Sequence, residues 1–141
     1  MAIEIIVVGV GARGKDWIRE VRSSNDFALA ACVDSDRQVL DKAGTDLKIP
    51  SVRLFENLRE AIDKIPCQAV IVATSADHHV LPCETALLNK IPVLVEKPFT
   101  LHLDEAKRLV QLAEQQRIPL LVAHLIERDE MPRLQPGVSL M

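Results

Sequence analysis

Apolar residues in this chain gather in short runs. Six stand out: Ile3–Val8, Leu29–Val33, Val52–Phe55, Ala69–Ala73, Val93–Val95 and Leu120–Ala123. They are rich in β-branched residues, and most are apolar at successive positions. That is the pattern of strands covered on both faces in a parallel sheet. Between the runs the apolar spacing turns helical. Trp17, Ile18 and Val21 form one stripe, and Val39, Leu40 and Ala43 a shorter one. Asn57 followed by Glu60 has the spacing of a capping box opening a helix through Ile62. Val80 to Leu88 predicts a fourth helix, with Pro82 confined to its first turn and Asn89 as a left-handed C-terminal cap. Leu103, Ala106, Val110 and Ala113 predict the apolar face of a fifth.

Strand and helix alternate along the chain, so right-handed βαβ crossovers are expected. Six strands in this arrangement predict an α/β fold with a doubly wound parallel six-stranded sheet, the Rossmann fold, in strand order 3-2-1-4-5-6. The domain is expected over residues 1–125. Residues 126–141 mix charges with Pro132, Pro136 and Gly137 and show no period, so an irregular tail is expected there.

Composition narrows the function. With 17 basic and 20 acidic residues in 141, the net charge is −3. Phosphate backbones bind clustered Lys and Arg, and single strands stack on aromatics. A mildly acidic chain with 3% aromatics and no tyrosine argues against a nucleic-acid partner. No apolar run approaches the ~20 residues that cross a bilayer, so no membrane partner is expected. Cys32, Cys67 and Cys83 are odd in number and not paired in CxxC spacing. They predict neither disulfides nor a zinc site, and a reducing, cytoplasmic setting. His78 and His79 are adjacent and poorly disposed to share a metal, while His102 and His124 are isolated. No metal site is expected.

The chemistry concentrates at the ends of strands. Gly9-Val10-Gly11-Ala12-Arg13-Gly14 follows the first strand and opens the first helix. In that context each glycine has its own role. Gly9 permits the tight turn, Gly11 the close approach of a pyrophosphate, and Gly14 helix–strand packing. The backbone of Ala12 and Arg13 then lies at a helix N-terminus, which favours anions. Asp34 ends the second strand, 20 residues after Gly14. That matches the usual spacing of ~20 for the acid that binds the adenosine ribose, and its charge would oppose a 2′-phosphate. Arg37 nearby could instead pair with such a phosphate. Asp34 could also simply cap the next helix, a role open to Ser35 or Asp36 as well. Thr74, Ser75 and His79 follow the fourth strand, and Glu96-Lys97-Pro98 the fifth, both at carboxyl ends where open α/β sheets bind ligands. By itself Lys97 could be a solvated loop lysine.

These pieces in this order, the glycine hexad, Val33-Asp34, Ala73-Thr74-Ser75 with His79, and Val95-Glu96-Lys97-Pro98, resemble the Gfo/Idh/MocA oxidoreductases over roughly residues 3–124. The resemblance implies NAD as cofactor, NADP being less expected. It implies that Thr74 and His79 lie along the cofactor, that Lys97 stands near the nicotinamide and assists hydride transfer, and that the bond before Pro98 is cis. It also marks departures. Ser75 and Ala76 stand where the family usually has Pro and Asn. The family's second domain, which holds the substrate, most of the dimer interface and a proton-transferring Asp and His, is not expected within these 141 residues. Nothing assigns such a role to Asp129.

Two functions follow. One is the dinucleotide-binding domain of an oxidoreductase acting on a sugar- or polyol-like substrate once a partner or a second copy completes the pocket. The other is a non-catalytic NAD(H) sensor or scaffold.

Overall fold

A computed structural model describes residues 1–123. The strands are β1 (Ile3–Val8), β2 (Phe27–Val33), β3 (Leu54–Phe55), β4 (Ala69–Val72), β5 (Val93–Val95) and β6 (Leu120–Val122). The helices are α1 (Ala12–Ser23), α2 (Arg37–Asp46), α3 (Leu58–Lys64), α4 (Val80–Leu88) and α5 (Leu103–Gln116). The six strands form one sheet in the order β3-β2-β1-β4-β5-β6, every neighbouring pair parallel. This is the doubly wound arrangement that the alternation predicts, and it places the carboxyl ends of β1, β2, β4 and β5 at one mouth.

Side chains alternate between two cores. Ile6, Val8, Val70, Val72, Val93 and Val95 pack with Leu58, Ala61, Cys83, Leu87 and Leu109, so α3, α4 and α5 cover one face. Ile5, Val7, Cys32 and Ile71 pack with Ile18, Val21, Leu40 and Ala43, so α1 and α2 cover the other. Among the described residues no helix lies over β5 and β6 on that second face. A groove of about 430 Å³ runs there, lined by Trp17, Phe27, Ile71, Leu94 and Leu121 among others. Leu121 is 61% exposed.

Several element ends differ from the expectation. The third strand keeps only Leu54 and Phe55 of Val52–Phe55. Pro50, at φ −59°, leads into a 3-10 turn over Ser51–Arg53, closed by Arg53 N–H donating to the Pro50 carbonyl at 3.0 Å. Cys32 and Val33 then pair with Leu54 and Phe55 alone. The second strand begins two residues earlier, at Phe27, because Ile3 pairs with it. Asn89 is not left-handed, at φ −94°; the positive φ falls on Lys90, at 58°. On α5, Leu109 and Ala113 are buried while Leu103 and Val110 face outward. The packed face thus lies about one position from the stripe that the sequence predicts. Asn57 caps α3, its Oδ1 accepting from the Glu60 amide at 2.8 Å. Glu60's own carboxylate accepts from Lys64. The tail expected over residues 126–141, and His124 with it, lie outside the described residues.

Candidate functional site

The mouth is built around the turn from β1 to α1. Gly9 has φ +86°, and its amide donates to the Val33 carbonyl at 2.7 Å. A Cβ at Gly9 would stand 2.6 Å from the Thr74 nitrogen, and one at Gly14 would stand 1.8 Å from the Gly9 carbonyl oxygen. Glycine at both positions therefore brings three backbone segments into direct contact. Gly11 differs, because a Cβ there would meet nothing within 4 Å. It faces the open mouth, where its lack of a side chain leaves room for a ligand.

The first intrahelical bond of α1 runs from the Lys15 amide to the Gly11 carbonyl at 2.9 Å. The preceding amides, of Gly11, Ala12, Arg13 and Gly14, have no acceptor within the helix, the ordinary state of a helix start. No side chain caps α1 and no acidic residue lies in its first turn. An anion is the natural ligand of such an end.

Beyond β2, Asp34 Oδ2 accepts from the Val10 amide at 3.0 Å, and Oδ1 from the Asp36 amide at 2.9 Å. Asp36 is the residue that caps α2, accepting from Gln38 and Val39. Capping is thus taken by Asp36, and Asp34 braces the glycine turn. Arg37 leans away, its Nε 3.1 Å from Asp41 and its Nη1 3.8 Å from Glu56.

The other half of the mouth lies beyond β4 and β5. Thr74 Oγ1 donates to the His78 carbonyl, and Ser75 Oγ lies 3.0 Å from His78 Nδ1. The Ser75 hydroxyl, bonding the Asp77 side chain, holds that carboxyl below its usual range. His79 is 1% exposed. Its Nδ1 lies 3.0 Å from the Phe99 carbonyl and its Nε2 2.9 Å from that of Thr74. Both nitrogens face backbone carbonyls, one of which receives the ring N–H according to the tautomer, so His79 packs between the two loops. The resemblance implies that His79 lies along the cofactor; its ring stands against the Thr74 backbone.

Glu96 is also buried. Its amide donates to the Val72 carbonyl at 2.9 Å. Its Oε1 accepts from Arg13 Nε and from Trp17 Nε1, each at 2.7 Å. The Arg13 guanidinium lies over the Trp17 ring, 5.4 Å from its centroid. Lys97 is exposed and has no hydrogen bond or ion pair among the described residues, and its bond to Pro98 is cis.

The tertiary fold therefore joins Gly9, Gly14 and Thr74 at the centre, Asp34 on one side, and Arg13 with Glu96 on the other. Arg37 pairs with Asp41 and Glu56, and the buried His79 ring backs Thr74. Sequence reasoning missed Val10, whose amide holds Asp34, and treated Trp17 as a core residue. The available signal was that Arg13 and Trp17 share a helix face at i and i+4. Burial pushes the thiols of Cys32 and Cys83 up to about 12 and raises that of Cys67. None is a ready nucleophile. Among the described residues no cluster of His, Cys, Asp and Glu could hold a metal, and no helix is long and apolar enough to cross a membrane.

Residues 3–124 match the family model described as the oxidoreductase family, NAD-binding Rossmann fold, of the Gfo/Idh/MocA group. The inositol 2-dehydrogenase of Leifsonia xyli subsp. xyli is 32% identical over 113 residues, which are 79% of this chain and 32% of that protein. A crystal structure of GenD2 from gentamicin A biosynthesis, in complex with NAD, superposes with a TM-score of 0.77 at 26% identity, covering 86% of this chain and 34% of that one. An oxidoreductase from Agrobacterium radiobacter, crystallised with NAD+, L-tartaric acid and magnesium, gives a TM-score of 0.80 at 24% identity, over 86% and 35% of the two chains. The chain spans about a third of the length of the curated relatives it matches.

Proposed function

The chain belongs to the Gfo/Idh/MocA oxidoreductase family as an NAD-binding Rossmann domain, and on that premise we propose how its residues hold the dinucleotide and serve hydride transfer on a sugar- or polyol-like substrate. The observation that carries the reading is the open side of Gly11 beside the free amides of α1. The pyrophosphate sits there. The Asp34 carboxylate accepts from the adenosine ribose hydroxyls while keeping its bond to Val10. Because Asp34 repels a 2′-phosphate and Arg37 is paired with Asp41 and Glu56, NAD is preferred over NADP. The nicotinamide end then runs over β4 and β5, past the backbone of Thr74 and Ser75, toward Lys97.

NAD supplies the hydride acceptor. Lys97, with no protein partner for its amine among the described residues, takes up or returns the proton of the substrate hydroxyl. Water exclusion and the far wall of the pocket come from another surface. We also propose that the chain pairs with a second copy or another partner, through a face away from the mouth. Apolar side chains exposed around the groove over β5 and β6 are the kind that mark contact sites. A clean monomer in sedimentation at high concentration would remove that part. Three free cysteines fit a reducing cytoplasm.

The experiment is calorimetric titration of the full chain with NAD, NADH, NADP and NADPH, repeated on Gly11→Val. The expected result is binding of NAD(H) that the variant loses while its unfolding midpoint stays near wild type. Unchanged affinity in Gly11→Val overturns the phosphate site. Tight binding of oxidised and reduced forms at different affinities, with no turnover of any polyol, would favour the sensor.

A further inference from the structure

Segment 96–99 carries Lys97 on an exposed loop, yet it is pinned at both ends. At one end the buried Glu96 carboxylate receives two donors at 2.7 Å from α1. At the other the Phe99 carbonyl meets the buried ring of His79. Among the described residues Lys97 itself makes no hydrogen bond or ion pair that would orient it. Its aim depends on these two anchors.

The Glu96 anchor is unusual in what it joins. Arg13 and Trp17 are 83 and 79 residues away in sequence. They stand on the same helix whose first turn offers amides to phosphate. A buried carboxylate is costly unless it is paired and hydrogen-bonded, and here the Arg13 guanidinium and the Trp17 indole do both. Glu96 Oε1 is thereby committed to the protein and not to a ligand.

We infer that Glu96 is a positioning residue, held by Trp17 and Arg13, that sets the Lys97 segment against the nicotinamide end of the dinucleotide without touching its adenosine diphosphate half. The inference rests on the dinucleotide-binding reading above.

Topology makes the two halves separable. On the reading above the phosphates would lie over β1 and the adenosine ribose over β2, whereas Glu96 follows β5, two strands away on the other side of β1.

The test compares NADH with ADP-ribose by calorimetry on the full chain. The variants are Trp17→Phe, which keeps an aromatic ring but removes the indole donor, and Glu96→Gln, which keeps the shape but removes the charge. Expected is an affinity for NADH lowered about tenfold, the size of one lost hydrogen bond to a charged group, with ADP-ribose affinity within about twofold of wild type. Thermal melts identify a variant that fails to fold, and Trp17→Phe decides the matter if Glu96→Gln does. Equal losses for both ligands, or no loss for either, overturn the inference. Failure of the unmodified chain to bind ADP-ribose would instead overturn the dinucleotide reading itself, and the inference with it. Trp17 is the only tryptophan and there is no tyrosine. Its emission therefore gives an independent signal in the unmodified chain. Bound NADH should quench it more strongly than bound ADP-ribose, and equal quenching counts against a nicotinamide on that side.

Discussion

The two halves of the mouth are held by different kinds of bond. Over β1 and β2 the contacts take no side chain from α1: Gly9 N–H to the Val33 carbonyl, Val10 N–H to the Asp34 carboxylate. Over β4 and β5 they involve side chains reaching across the fold: Trp17 and Arg13 to Glu96, His79 to Phe99. A backbone bond persists whatever side chain α1 carries. A side-chain bond depends on particular residues at particular positions. The first half is therefore a fixed seat, and the second is the half that substitution on α1 can retune.

The strongest way to break that distinction is at the point the halves share. Gly14→Ala puts a Cβ 1.8 Å from the Gly9 carbonyl oxygen, which is backbone and cannot rotate aside. A loss of roughly 3 kcal/mol or more in stability is expected, with loss of NAD and ADP-ribose binding alike. Denaturant melts and calorimetry measure it. Near-native stability would mean that the turn and helix separate more readily than their contact implies.

A second test reads what lies beneath each half. Cys32 is in β2 under the seat, and Cys83 is in α4 under the other side. Burial raises both thiols from 9.0 to about 12. Between those values the folded chain keeps protons that the unfolded chain releases. Unfolding free energy should therefore fall as pH rises from 9 to 12, by about 1.4 kcal/mol per pH unit for each thiol. Urea melts across that range check it. Cys83→Ala should lessen the slope, Cys32 and the partly buried Cys67 carrying the rest, and an unchanged slope would show that Cys83 is not protected by burial.

Asp34→Asn sharpens the contrast on the seat alone. The amide oxygen can still accept from Val10, but the charge is gone. NAD affinity should fall about tenfold, the loss of a charge-assisted bond to ribose. NADP should lose less, since a repulsion disappears with the charge. A larger loss for NADP would remove Asp34 as the selector. Arg37→Gln should be the mildest change, within about twofold for NAD, because surface ion pairs contribute little. A larger drop would return Arg37 to the ligand.

Local pattern was enough wherever one stretch of chain decides the outcome. Apolar runs buried on both faces call for a parallel sheet, and their alternation with helices leaves few topologies. The glycine hexad specifies a turn that only glycine can make at Gly9, and its placement between strand and helix leaves the first amides of α1 uncapped beside Gly11. The spacing from Gly14 to Asp34 likewise reflects one helix and one strand of ordinary length. Element ends were less legible. Val52 reads as strand but sits in a turn begun by Pro50, and the face of α5 depends on how α4 packs against it.

The sequence by itself therefore determined the fold class, the strand order and the fixed half of the mouth, because these follow from periodicity and from backbone limits that act over a few residues. Only the tertiary structure decided which candidates meet. Glu96 is far in the chain from Arg13 and Trp17, and they become neighbours because β5 ends two strands from β1. His79 and Arg37 carry suitable groups, yet burial turns one toward backbone carbonyls and neighbouring carboxylates draw off the other. Such pairings depend on distances across the sheet, which no spacing along the chain encodes.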